Sequence, residues 1–250
     1  MRRTRIAILA PTLIVMLLAS PACVRNEAKE RSADLAASRA ITFRSSDGVK
    51  LAGRLFGEGS VGVVLSHMLP ADQASWWDFA RELADDGYLA LTYDFRGYCP
   101  GGDAGCSAGE RNIGAIWQDV LGAIQEIRSE GAARIVLIGA SMGGTASLVA
   151  ASKPGIGVEA VVTLSAPTSI EGLAADDATL STVTAAKLFL AGNGDAQAAE
   201  AAQRLFATSP QPKRVEIVTS NDHGTDLLTG NQSGRVRTTI LGFLMQYAAP

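Results

Sequence analysis

From residue 41 to the C-terminus, apolar runs of strand length alternate with longer segments of helical periodicity. "AITFRSS" and "KLAGRLF" alternate in polarity on either side of Asp47-Gly48, which predicts an antiparallel hairpin. "VGVVLSH", "YLALTYDF", "RIVLIGA", "VEAVVTLSAP" and "AKLFLAGNGD" are near-continuous apolar runs, as expected of strands covered on both faces. "RVEIVTS" reads as the last strand. Between the strands, Trp76, Trp77, Phe79, Ala80 and Leu83 share one side of a helix that Gly87 stops. Ile113, Ile116, Val120, Leu121, Ile124 and Ile127 follow a second helical spacing, ended by Gly131. "MGGTASLVAAS", "AQAAEAAQRLFAT" and "SGRVRTTILGFLMQYAA" complete the helices, with Ser233 expected as the N-cap of the last. Two antiparallel leading strands followed by repeated β-α units predict an α/β domain. Its sheet is mostly parallel, about eight strands wide, with helices on both faces. The stretch from Thr168 to Ala185 has room for a helix and loop, so only a minimal cap is expected.

The first 22 residues break this pattern. "MRRTR" is basic, "IAILAPTLIVMLLA" is apolar but short and interrupted, and "SPAC" brings small residues before Cys23. This reads as a signal for export, with Cys23 positioned like the lipid-modified first residue of a bacterial lipoprotein. Residues 23–40 are polar and Ala-rich and read as a tether, leaving 41–250 as the folded domain. The expected location is the cell envelope, lipid-anchored to a membrane, or else periplasmic or secreted. Cys99 and Cys106 fall in the Gly-rich loop "YCPGGDAGCSAGE", and in an exported chain they are expected to form a disulfide.

Charge narrows the partners. The formal net charge is −3, and without residues 1–22 the balance is 19 basic to 25 acidic residues. Such a chain gains no electrostatic attraction to nucleic acid. No cysteine or histidine spacing suits zinc, and the acids of "EGLAADDAT" lack calcium-loop spacing. No metal or other cofactor is expected.

The chemistry concentrates at Gly139-Ala140-Ser141-Met142-Gly143, a G-x-S-x-G turn between a buried strand and a helix. Such a turn lifts a serine hydroxyl clear of the sheet edge, and glycines flank it because the turn is crowded. A serine nucleophile needs a base, and the chain has only His67 and His223. His223 follows the last strand, and Asp195 follows the strand before it. Ser141, Asp195 and His223 therefore all lie at carboxyl ends of strands, the edge where open α/β sheets build sites. His67, Asp94 and Ser141 form a rival set, but its order belongs to β-barrel proteases, which the alternating pattern excludes. His67 is instead expected to bond main chain, and Asp94 to tie down its loop with Arg96. Asp222 and Asp226 are rival acids to Asp195, and Asp195 is also expected to cap the helix that follows.

With "HM" after the third strand, "YDFRGYC" after the fourth, "GASMGG", "GNGD" and "DHG", residues 41 to 247 resemble the α/β-hydrolase superfamily. The likeness is greatest to small, nearly lidless bacterial serine hydrolases related to the dienelactone-hydrolase branch. The resemblance implies an α/β-hydrolase fold with Ser141 as nucleophile, Asp195 as acid and His223 as base. It implies an oxyanion hole from the N–H groups of Met142 and Met68, with Leu69 as the alternative to Met68. The chain departs from the family where Met68 stands in place of a frequent glycine, a side chain expected to narrow the acyl pocket. It also carries serine where dienelactone hydrolases carry cysteine. The activity implied is that of a carboxylesterase acting on small to medium acyl esters without a cofactor. A peptidase, thioesterase or acyltransferase would use the same residues, and an inactive binding protein would keep the fold.

Overall fold

A computed structural model describes residue 29 and residues 31–250. The expected export signal and the expected lipidation at Cys23 fall outside the described residues. Residues 31–36 are helical, and the first strand starts at Ser38, inside the stretch read as tether. Asp34 docks this segment on the domain by accepting a 2.9 Å hydrogen bond from Arg81.

Eight strands form the main sheet: β1 (Ser38–Arg44), β2 (Lys50–Phe56), β3 (Val61–Ser66), β4 (Leu89–Tyr93), β5 (Arg134–Ala140), β6 (Ala160–Leu164), β9 (Ala186–Gly192) and β10 (Lys213–Val218). Their order across the sheet is β1-β2-β4-β3-β5-β6-β9-β10. The hairpin β1–β2 and the β2–β4 pairing are antiparallel, and every pairing from β4 to β10 is parallel. Five helices pack on the sheet: α1 (Trp77–Asp85), α2 (Trp117–Ser129), α3 (Met142–Ala151), α5 (Ala196–Thr208) and α6 (Ser233–Tyr247). The predicted cap is a two-stranded hairpin, β7 (Ser169–Ile170) and β8 (Leu173–Ala174), followed by the short helix α4 (Asp177–Thr182). Gln232, not Ser233, occupies the cap position of α6, and no side chain caps it there.

The period of two along each strand explains the two-sided core. On β5, Ile135 and Leu137 join the cluster under α2, α3 and α5. Val136 and Ile138 point the other way, into the cluster under α1 and α6. Trp76 and Trp77 are buried in that second cluster, and Trp117 packs at the edge of the first.

Two buried polar networks anchor the loops that leave β3 and β4. His67 is fully buried; its Nδ1–H donates to the Met68 carbonyl at 2.9 Å, and its Nε2 accepts from the Phe95 N–H at 3.1 Å. Accepting at Nε2 requires a neutral ring, and burial pushes its pKa down to about 4. The expectation of a main-chain role for His67 thus holds, but the pairing of Asp94 with Arg96 does not. Asp94 accepts from the Gln73 N–H at 2.9 Å and from its side-chain amide at 3.0 Å. Burial pushes its pKa up to about 7, against those hydrogen bonds. Arg96 reaches instead to Asp119 on α2, at 2.6 Å, and to Asp47 in the β1–β2 turn, at 2.7 Å. Sequence adjacency suggested the wrong partner because the Arg96 side chain leaves its own loop for two distant carboxylates.

Asp119→Ala removes the fully buried one of the two carboxylates that hold the Arg96 guanidinium, leaving it only the partly exposed Asp47. Urea denaturation is expected to show a loss of about 3 kcal/mol; a loss under about 1 kcal/mol contradicts the network. For His67 the sign is set by a folded pKa below the ordinary 6.5. The unfolded chain takes up its proton first, so this contribution to stability is lost as pH falls from 6.5 toward 4. The stability gap between wild type and His67→Asn is therefore expected to shrink by about 2 kcal/mol between pH 7 and pH 4.5. A gap independent of pH would show that the histidine is not held neutral.

Candidate active site

Because β3, β5, β6, β9 and β10 run parallel, their carboxyl ends share one edge, and the chain leaves each strand there with a chemically distinct residue. Ser141 follows β5 directly. Its φ of +49° and ψ of −120° put it in the left-handed half of backbone space, which a side chain occupies only at a cost in strain. The turn leaves no room for side chains at its flanks. A Cβ on Gly139 would lie 2.3 Å from the Gly143 carbonyl oxygen, and one on Gly143 would lie 2.4 Å from that of Ser66. The glycines thus let α3 start directly against the exit of β3. Ser141 remains partly exposed at the start of that helix.

His223 follows β10, and Asp195 follows β9. The His223 Nδ1–H donates to Asp195 Oδ2 at 2.5 Å. A carboxylate can only accept, so Nδ1 carries a proton, and in the neutral ring the lone pair then falls on Nε2. Asp195 also caps α5, its Oδ1 accepting from the Ala198 N–H at 3.4 Å. Both expected tasks fall on one carboxylate, with one oxygen for each. Of the rival acids, Asp222 accepts instead from the Ser220 hydroxyl at 2.6 Å. Ser141, Asp195 and His223 line one cavity of about 190 Å³, walled on its apolar side by Pro167 and Ala198. No hydrogen bond joins Ser141 to His223; contacts of this kind are often long in the free enzyme and tighten only with substrate.

Met142 and Met68 sit at the helix start and at the β3 exit. Among the described residues neither of their N–H groups donates to a protein acceptor, so two backbone donors stand unused beside the strained serine. The Met142 N–H also opens a helix, where partial positive charge accumulates. The Met68 side chain does not narrow the cavity. It is buried in the core beneath Gly224, where a Cβ on the glycine would meet Met68 Sδ at 2.4 Å. Gly224, with φ of +56°, lets the chain turn directly after His223 over that sulfur. The glycine of "DHG" carried this signal in the sequence, and the Met68 contact gives it a cause. Sequence reasoning missed Ser165 and Gln197, which also line the cavity. Ser165 follows β6 with φ of +54°, and nothing in "LSAP" announces a left-handed serine.

Cys99 and Cys106 form the expected disulfide, closing a loop that also carries the bridge between Gly101 and Gly105. Among the described residues there is no cluster of metal-ligating side chains, and no helix is long and apolar enough to cross a membrane.

The model of the alpha/beta hydrolase fold family matches residues 63–238. No curated protein matches the chain. Among solved structures, an esterase from Pyrococcus furiosus is similar with a TM-score of 0.70 and 17% identity, over 86% of this chain and 93% of the other. A thermophilic esterase from Thermogutta terrifontis gives 0.64 and 20%, over 83% and 98%. An enol-lactonase from Burkholderia xenovorans gives 0.66 and 17%, over 81% and 99%. At these identities the likeness speaks for the shared fold. With the family model spanning most of the chain and the eight-stranded sheet matching it, this protein belongs to the alpha/beta hydrolase family.

Proposed function

We infer that the protein is a serine carboxylesterase that cleaves small to medium acyl esters through an acyl-enzyme on Ser141. The observation that carries this reading is the Asp195–His223 hydrogen bond, formed in the cavity that the strained serine also lines. In this reading Ser141 Oγ attacks the ester carbonyl carbon while His223 Nε2 takes the hydroxyl proton. Asp195 holds the imidazole by Nδ1–H and stabilises the imidazolium that forms. The N–H groups of Met142 and Met68 receive the developing oxyanion, each worth about 10²- to 10³-fold in rate. The tetrahedral adduct then collapses, and His223 gives its proton to the departing alkoxide. Water, deprotonated by the same nitrogen, releases the acid and restores Ser141.

Similarity to proteins described as esterases and an enol-lactonase supports ester chemistry over other acyl transfers. The disulfide supports an oxidising compartment. It thereby supports export through the N-terminal segment, with Cys23 as lipidated anchor.

A fluorophosphonate probe is expected to label wild type once per chain and to leave Ser141→Ala unlabelled. His223→Ala is expected to lower kcat on a p-nitrophenyl ester by about 10⁴-fold or more. Equal turnover by wild type and Ser141→Ala would overturn the assignment. For the anchor, mass spectrometry of the membrane fraction is expected to find a diacylglycerol adduct on Cys23; an unmodified Cys23 in the mature protein contradicts it.

A further inference from the structure

Among the described residues, three other than glycine have positive φ: Ser141, Ser165 and Glu171. The strain at Ser141 belongs to the turn that presents its hydroxyl, and Glu171 sits in the exposed turn of the cap hairpin. Ser165 has neither explanation. It leaves β6 on the rim of the sheet, between Ser141 on one side and the strand that leads to Asp195 on the other. Two 2.8 Å hydrogen bonds fix that placement, from the Ser141 N–H to the Leu164 carbonyl and from the Ser165 N–H to the Leu190 carbonyl.

A second cost falls on the same residue. Ser165 is 1% exposed, and its hydroxyl has no hydrogen-bond partner. Glycine there would relieve the backbone, and alanine would remove the orphaned hydroxyl. Other buried groups lack partners too, including Trp76 Nε1 and the Tyr98 hydroxyl, but none of those residues lines the cavity of Ser141 and His223. A strained residue with an unsatisfied hydroxyl at a reacting centre is explained when an occupant completes its bonding.

We propose that Ser165 is a specificity-determining residue that turns its buried hydroxyl into the cavity it lines when substrate binds, and there hydrogen-bonds an oxygen carried by the acyl group, one or two bonds from the scissile carbonyl. This rests on the serine-esterase reading of the same cavity. The cavity's volume of about 190 Å³ equals roughly six water molecules in the liquid, so it suits a short acyl chain. Pro167 and Ala198 cover the chain's carbons, and the exposed Gln197 amide offers a second polar contact at the rim. The acyl group is the part that stays on Ser141 through both half-reactions, whereas the alcohol must leave to solvent. The substrate class is therefore short 2-hydroxy or 2-oxo acyl esters rather than plain alkanoates. Discrimination follows because a plain chain leaves the Ser165 hydroxyl buried and unpaired.

The test compares methyl lactate with methyl propionate by pH-stat, in wild type, Ser165→Ala and Ser165→Gly, with melting temperatures recorded for each. The ratio of kcat/KM for lactate over propionate is expected to fall by at least about tenfold in both variants. Comparing ratios between enzymes cancels the intrinsic reactivity of the two esters. Ser165→Gly, which loses both strain and orphan, is expected to melt above wild type. An unchanged ratio, whether both rates hold or fall together, overturns the proposal while fluorophosphonate labelling of Ser141 still stands. Wild type that neither labels nor turns over either ester overturns the esterase reading as well.

Discussion

A single backbone contact sets the geometry of this rim: the second residue of α3 lies against the carbonyl of Ser66 with no side chain between them. Only glycine at 143 allows that approach, and only glycine at 139 lets the chain reverse before it. Together they hold Ser141 at a φ of +49°, in a conformation it would not adopt unaided. The same contact brings the start of a helix beside the exit of β3, so that the Met142 and Met68 amides belong to adjoining segments. Hydroxyl and amide donors are thereby fixed by one packing decision in the centre of the sheet.

The rest of the rim is built to keep that centre still. His67 is a histidine used for its hydrogen bonds rather than for its charge. One nitrogen holds the Met68 carbonyl and the other holds the Phe95 amide, which ties the β3 exit to the β4 exit. Gln73 and Asp94 brace the same loops, and Arg96 ties them to α2 and to the β1–β2 turn. On the other side, Asp195 fixes His223 through one oxygen while the other caps α5. The imidazole is thus anchored to a helix that packs along the sheet, and its ring is oriented before any substrate binds.

Much of this was legible in the residues. β3, β5 and α5 fall on the apolar runs and periodic segments that predicted them, because buried parallel strands and helical stripes write a strong pattern. The elbow was legible because glycine spacing records a backbone constraint directly. What escaped depends on side chains choosing among distant partners. The Arg96 guanidinium crosses to Asp119 and Asp47, although Asp94 stands two residues away. Lys187 lies within the apolar strand β9 yet is fully buried, its ammonium donating to the carbonyls of Val183 and Ala185. Ser165 gave no sign of its conformation, since a serine that tolerates left-handed backbone reads like any other.

The central claim is a spatial proposal: a hydroxyl, an imidazole, a carboxylate and two backbone amides from four places in the chain act on one carbonyl. A crystal structure of the protein inactivated by a fluorophosphonate tests it most directly. The account predicts phosphorus bonded to Ser141 Oγ, the phosphonyl oxygen within hydrogen-bond distance of the Met142 and Met68 amides, and His223 Nε2 facing the adduct with its Asp195 bond intact. Phosphorus on another residue, or an adduct on Ser141 with the His223 ring turned out of reach, would contradict it.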